Sequence, residues 1–142
     1  MESAIIAGVF TILGAVIAAG ATFFASFFER RMEEKRRIRI IKEELYEKIV
    51  QDYEEMITEM AKAHLVQDKP KLLYFYENVF MKRRAEHMGK ESIYLDKEFN
   101  ILLNQTLLQI KKDILDKNKN AFIHSRQSFD NVIEYIKKDI RS

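Results

Sequence analysis

The histidines are the side chains of this sequence best suited to acid–base chemistry. A histidine titrates near neutral pH and can take up or release a proton during a reaction. His64 has one carboxylate at helical spacing, Asp68 four positions later, and no second histidine there, and His87 lies among Arg83, Arg84 and Glu86. Neither spacing is that of a metal site, so we predict a lone, partly buried His64 and a surface His87. His124 differs, because it closes the short stretch Lys119–His124, KNAFIH, which also holds a cation and an amide.

Other kinds of catalytic chemistry leave no trace in the sequence. There is no glycine-rich phosphate loop, no Ser/His/Asp signature and no pair of histidines with zinc spacing. The chain has no cysteine, which fits a reducing compartment and excludes a disulfide framework or a cysteine-ligated zinc. We therefore expect no cofactor and no metal.

Helices must position these side chains, because the chain has only four glycines and one proline and shows no strand-like alternation. No glycine or proline interrupts residues 29–67, so a first helix should continue unbroken from the N-terminal apolar stretch to about Val66. Asp68 and Pro70 predict a break followed by a second helix. That helix should stop near Gly89, with a loop over residues 89–95.

Two further helices complete the predicted fold. Asp96 is a suitable N-cap for the third helix, and the polar run Asp116–Asn120 predicts the turn before the fourth. Short connections make neighbouring helices antiparallel. The sequence therefore predicts an all-α protein in which residues 29–142 form an up-down four-helix bundle, with the apolar and aromatic stripes in its core.

The N-terminal stretch Ala4–Phe28 has the length and composition of a transmembrane helix. It contains no charge and no proline, and its polar residues are Thr11, Thr22 and Ser26. About 20 apolar residues cross a bilayer, and about 25 make a helix of ~37 Å. The run is too long for a signal-peptide core, and basic residues follow rather than precede it. We predict a single transmembrane helix over residues 1–28.

Small residues occupy two adjoining seams along this stretch, and bulky apolar residues occupy the opposite arc. The first seam consists of Ala4, Ala7, Thr11, Gly14, Ala18, Ala21 and Ala25, and the second of Gly8, Ala15, Ala19, Thr22 and Ser26. Small faces allow helix backbones to approach closely in a membrane. One seam would suit a dimer, whereas two suit a helix with two neighbours, as in a ring. The alternative is a monomeric anchor that is merely rich in alanine.

A basic segment follows the apolar stretch. The chain as a whole carries a net charge of +2, but residues 29–42 hold seven Lys or Arg against three Glu. The positive-inside rule therefore puts the N-terminus outside and residues 29–142 in the cytoplasm. We expect lipid headgroups to contact Arg30, Arg31, Lys35, Arg36 and Arg37. Contact with RNA phosphates is the less favoured alternative.

The stretch KNAFIH at the head of a terminal helix resembles the R-N-x-x-x-H motif of HEPN domains. Those domains are small helical bundles, many of them metal-independent ribonucleases in which two motifs meet at a dimer interface. The resemblance assigns catalytic positions to Lys119, Asn120 and His124. Lys119 stands where the family has arginine, and lysine lacks the fork that binds phosphate through two bonds. The resemblance thus supports the fold better than the catalysis, and we lean against an enzyme.

A membrane helix followed by a HEPN-like domain in a short chain is similar to one further group. These are the small membrane accessory proteins encoded beside type VI-B CRISPR systems, whose effector is an RNA-guided RNA nuclease. The resemblance implies a ring-shaped homo-oligomer in the bacterial inner membrane. It also implies a pore that strengthens antiphage defence by permeabilising or depolarising that membrane, in functional partnership with the nuclease.

Two other functions stay open on the sequence alone. One is a membrane-anchored HEPN ribonuclease that acts on RNA through paired motifs. The other is a phage-exclusion or toxin-type membrane protein without any HEPN relationship, which would need only the membrane helix and an arbitrary helical bundle. A lumen filled with water usually requires polar lining, and the stretch offers only two threonines and a serine for it.

Overall fold

The computed structural model describes residues 2–116 and 122–142, and every regular element in these ranges is helical. The elements are α1 (Glu2–Val66), α2 (Lys69–Phe75), a π-helical turn (Tyr76–Phe80), α3 (Met81–Tyr94), α4 (Lys97–Leu115) and α5 (Phe122–Arg141). Contacts within the chain divide it into two units, Met1–Ile40 and Ile41–Ser142. The predictions of an all-helical chain and of an unbroken first helix ending at about Val66 are confirmed.

The first unit consists only of the N-terminal part of α1, and its described side chains are almost all exposed. Among the described residues, α1 is the one helix long and apolar enough to cross a membrane. None of its most apolar 18-residue stretch is buried. The hydroxyl of Thr11 donates to the carbonyl of Ala7, and that of Thr22 donates to Ala18, both at 2.9 Å. These two polar groups are therefore satisfied within the helix itself.

The core of the second unit is built on the face of α1 that begins at Leu45. Along this face Ile49, Tyr53 and Met56 are almost fully buried at helical spacing. Phe80, Phe99 and Phe129 from the other helices pack around them. The ring of Tyr53 stacks on Phe129 at 5.5 Å and meets Phe80 edge-on at 5.2 Å. The buried apolar side chains of α1, the π-helical turn, α4 and α5 thus form a single core.

Side-chain contacts give the helix directions in this unit. The ammonium of Lys42 and the hydroxyl of Tyr46, early in the domain part of α1, donate to the carboxylate of Asp139, near the end of α5, at 3.0 and 2.7 Å. The ring of Tyr46 also meets that of Phe99, near the start of α4, at 5.0 Å. Helix α5 is therefore antiparallel to α1, and α4 is parallel to α1. These directions are the ones that short connections between successive helices require.

Two of the helix boundaries follow the capping residues of the sequence. The carboxylate of Asp68 accepts from the backbone N–H of Lys71 at 3.2 Å and caps α2, as predicted. Just before it, Gln67 adopts a φ of 57°, a left-handed conformation that ends α1. Asp96 stands at the N-cap of α4, but its side chain accepts instead from the hydroxyl of Tyr135 on α5 at 3.1 Å.

The predicted loop over residues 89–95 is wrong, because α3 continues through Gly89 to Tyr94. Glycine inside a helix costs about 1 kcal/mol relative to alanine. That cost is offset here, since the extra turns carry Glu91 into the interior, where it meets Arg84 two turns earlier on the same helix. Burial of this ion pair rather than the local propensity of glycine thus accounts for the continuation of α3.

Candidate functional site

His124 lies in the first turn of α5, and its side chain is 63% exposed. Its partners in the predicted motif, Lys119 and Asn120, lie outside the described residues. The nearest acidic group to the imidazole is the carboxylate of Asp113 on α4, with 3.9 Å between Nδ1 and Oδ1. The structure therefore pairs the predicted histidine with a carboxylate from the neighbouring helix.

The Asp113 carboxylate is held in place by hydrogen bonds from both helices. One oxygen accepts from the backbone N–H of Ser125 at 2.8 Å and from its hydroxyl at 2.6 Å. The other accepts from the side-chain amide of Gln109 at 2.7 Å. Asp113 and Ser125 are both buried. Asp113 thus satisfies a donor in the first turns of α5 and places a negative charge where the helix dipole favours one.

An exposed imidazole beside a fixed carboxylate is an arrangement suited to proton transfer. The exposed ring nitrogens of His124 can exchange protons with a ligand or with water, and Asp113 puts a fixed negative charge beside them. Among residues 2–116 and 122–142, no group of three or more His, Asp or Glu side chains is placed to hold a metal ion. The described part of the site therefore offers acid–base chemistry through His124.

Asp113→Ala should lower the free energy of unfolding by about 1–3 kcal/mol, because it leaves the buried donors of Ser125 and the half-buried amide of Gln109 without their acceptor. Chemical unfolding of the full chain, followed by tyrosine fluorescence, measures the change. Asp130→Ala is the matched control, since its exposed partner Arg126 lies at 3.4 Å on the surface of α5. Equal stability of the two variants would contradict the bridging role given to Asp113.

Sequence reasoning missed Asp113 and Ser125. They are 12 positions apart on different helices, and no short-range spacing connects them. Helix capping by a distant carboxylate has no local motif, unlike capping by the preceding residue. The nearest available signal was one acidic residue at the end of an otherwise apolar stripe on α4, and that pattern is common on helices.

A second polar cluster joins α1 and α3. The guanidinium of Arg84 meets Glu91 through two parallel bonds, Nη1–Oε1 at 2.6 Å and Nη2–Oε2 at 2.5 Å. The two residues are only 5% and 2% exposed. The guanidinium also lies 5.3 Å from the ring centroid of Tyr53. A buried fork of this kind has good geometry, but its two charges are costly to desolvate, so it adds little net stability. The contact of Arg84 with Tyr53 is what joins α3 to α1.

Asp52 borders this cluster and is 8% exposed. Its Oδ1 lies 3.8 Å from Nη1 of Arg83, which also pairs with Glu55. Its Oδ2 is buried without a hydrogen-bond partner among the described residues. Burial raises the pKa of the Asp52 carboxyl, and the charges of Arg83 and Arg84 offset that only in part. The neighbouring His87 also acts to lower the pKa of the Asp52 carboxyl. The side chain of His87 is half-buried, whereas we predicted it on the surface.

The raised pKa of Asp52 predicts a pH dependence of stability. A carboxyl whose pKa is higher in the folded than in the unfolded chain binds its proton more tightly when folded. Its contribution is complete below the unfolded-state pKa and is lost as pH rises through the folded-state value. Asp52→Asn has no carboxyl to ionise and therefore does not lose this contribution as pH rises. The free energy of unfolding of the variant minus that of wild type should be greater at about pH 7 than at about pH 4.

Unfolding of both chains across this pH range, with exposed Glu54→Gln as control, measures the difference. Parallel pH profiles for wild type and Asp52→Asn would show that the carboxyl keeps an ordinary pKa in the folded protein.

The seam residues of α1 lie exposed along the first unit, and the hydrogen bonds from Thr11 and Thr22 stay within the helix. A Cβ added at Gly8 or Gly14 would meet no atom within 4 Å. The basic side chains predicted to contact lipid are exposed as well, and the guanidinium of Arg31 lies over the ring of Phe27 at 5.5 Å. That contact is one an interfacial arginine makes when its stem follows an apolar surface.

Comparison of the chain with protein-family models, curated proteins and solved structures gives no match.

Proposed function

We propose that the protein is a single-pass membrane protein that assembles through its N-terminal helix into a ring and forms a pore. One observation carries this: α1 holds a stretch long and apolar enough to span a bilayer, and one side of that stretch is made of exposed small residues. Lipid tails solvate bulky and small apolar residues alike. A face of small residues stabilises an assembly because it allows close backbone contact with neighbouring helices.

The polar groups of the stretch support contact between helices. Thr11 and Thr22 belong to the seams, and their hydroxyl protons are already engaged by carbonyls of the same helix. Such hydroxyls enter a helix interface without an unsatisfied donor. Their oxygens keep acceptor capacity, which is the polar character that a narrow lumen would require.

The rest of the proposal concerns topology and setting. The N-terminus lies outside, and the helical second unit is a HEPN-like bundle in the cytoplasm, as the basic segment after Phe28 favours. The bacterial inner membrane and a partnership with a CRISPR RNA-guided nuclease in antiphage defence rest on the resemblance of the whole chain. Permeabilisation or depolarisation of that membrane would be the effect of the pore.

Two measurements on the full chain test this function. Native mass in detergent should give a closed ring of about six or more copies, the size that leaves a space between packed helices. Liposomes containing the protein should then release a trapped ion faster than empty liposomes. A monomer or dimer, or tight liposomes in the presence of a ring, would contradict the pore.

A ribonuclease is the second candidate, favoured by the pairing of exposed His124 with Asp113 at 3.9 Å. An imidazole so placed can move a proton to or from a ribose 2′-hydroxyl or a leaving oxygen. Two copies would have to meet to supply two motifs. The role of Lys119 would be to hold the phosphate as a point charge.

His124→Ala should reduce metal-independent RNA cleavage by the full chain about 100-fold or more, the usual share of one acid–base group. Labelled single-stranded RNA with excess chelator provides the assay, and exposed Arg126→Ala on the same helix is the control. Intact RNA with wild-type protein at high concentration would remove this candidate and leave the pore unaffected.

A further inference from the structure

A cavity of about 320 Å³ lies between the last turns of α3 and the first turns of α4. The buried pair Arg84 and Glu91 forms part of its wall, together with half-buried Asn100. Exposed Met88, Lys97 and Asn104 border it. Small-molecule sites combine apolar walls with a few convergent polar groups in cavities of about this size or larger. We propose that this cavity binds a nucleoside monophosphate.

The charge of the lining favours an anion. Arg84 and Lys97 contribute two positive charges, and Glu91 contributes one negative charge. Arg84 is already neutralised by Glu91, whereas Lys97 has no ion-pair partner among the described residues. An ammonium ion without an internal partner at the edge of a cavity is a suitable ligand for a phosphate monoester.

The remaining lining groups suit a planar heterocycle. The thioether of Met88 can contact an aromatic ring, and its flexible side chain adapts to the ring position. Asparagine amides pair with the edge of a nucleobase through one donor and one acceptor. Asn104 has no hydrogen-bond partner among the described residues. The amide nitrogen of Asn100 donates to the carbonyls of Glu91 at 3.5 Å and Leu95 at 3.3 Å, which leaves its amide oxygen to accept from a ligand.

The buried ion pair supports the same assignment. Burying two charges rarely stabilises a fold more than apolar packing would, so such a pair in a cavity wall needs another use. Here the fork puts a fixed dipole in the wall of the cavity. A wall already fixed by hydrogen bonds reduces the entropy lost on binding.

This inference does not depend on the pore or on the ribonuclease, because the cavity belongs to the second unit and uses neither the seams nor His124. Binding at this cavity would allow a small molecule to act on the helical domain. Binding at this cavity and assembly of the membrane helices are measured separately, so either can fail alone.

Isothermal titration of the detergent-purified full chain with AMP, GMP, CMP and UMP, and with inorganic phosphate, tests the proposal. At least one nucleotide should bind saturably and more tightly than phosphate. Lys97→Ala and Asn104→Ala alter exposed side chains, so the fold should persist, and each should weaken binding about tenfold. Lys111→Ala, an exposed change elsewhere on α4, should leave binding unchanged.

Three results would overturn the proposal. These are no saturable binding of any of the four nucleotides at millimolar concentration, phosphate binding as tight as nucleotide binding, or nucleotide affinity that is equal in wild type, Lys97→Ala and Asn104→Ala. Chemical-shift perturbation of the Met88 methyl group gives an independent readout of the location.

Discussion

Glu91→Gln is expected to lower the free energy of unfolding by about 3–5 kcal/mol, the usual effect of removing one partner of a buried ion pair. The change leaves the Arg84 guanidinium, 5% exposed, facing a neutral amide that offers one acceptor in place of two. Folded domains have only about 5–15 kcal/mol in total. The loss should therefore bring the second unit close to unfolding at moderate temperature.

Tyrosine signals report this unfolding without interference from the membrane stretch. All six tyrosines lie between residues 46 and 135, and the chain has no tryptophan. Urea titration of the full chain in detergent, followed by tyrosine fluorescence and near-ultraviolet circular dichroism, should show the transition at lower denaturant with an unchanged slope.

Two controls separate the ion pair from other causes. Glu86→Gln makes the same chemical change at an exposed position of α3 and should alter stability by no more than about 0.5 kcal/mol. The double variant Arg84→Met, Glu91→Leu replaces both charges by apolar groups and should recover most of the loss. A single variant Glu91→Gln as stable as wild type would mean that water reaches the pair.

Much of the fold could be predicted from the sequence because its signals are local. A glycine- and proline-free run predicted α1 through Val66, and Asp68 beside Pro70 predicted the start of α2. The extension of α3 to Tyr94 could not be predicted in this way. It depends on Glu91 reaching Arg84 in the interior, and the local sequence around Gly89 gives the opposite indication.

The candidate site was likewise predictable only in part. The helical position of His124 followed from the sequence, but its carboxylate partner did not, because Asp113 comes from another helix. The same holds for the cavity, whose groups come from the end of α3 and the start of α4. Contacts between helices depend on how the helices pack, and a single sequence carries no direct signal of that packing.

The seams of α1 allow a test in which the chain supplies its own control. Gly14 belongs to the first seam, whereas Gly20, at 3.6 residues per turn, lies on the side opposite the two seams. A Cβ added at either glycine meets no atom within 4 Å. Any difference between Gly14→Leu and Gly20→Leu must therefore come from molecules outside the chain, since both changes add the same side chain to the same helix.

Gly14→Leu should break the ring into smaller species, because a leucine in the seam prevents close approach of the neighbouring backbone. Gly20→Leu should keep the wild-type mass, because it adds one more bulky residue to the arc that faces lipid. Native mass in detergent measures both, and ion release from liposomes should follow the same order. If both variants keep the ring, the seams are no interface, and if both lose it, added bulk alone is responsible.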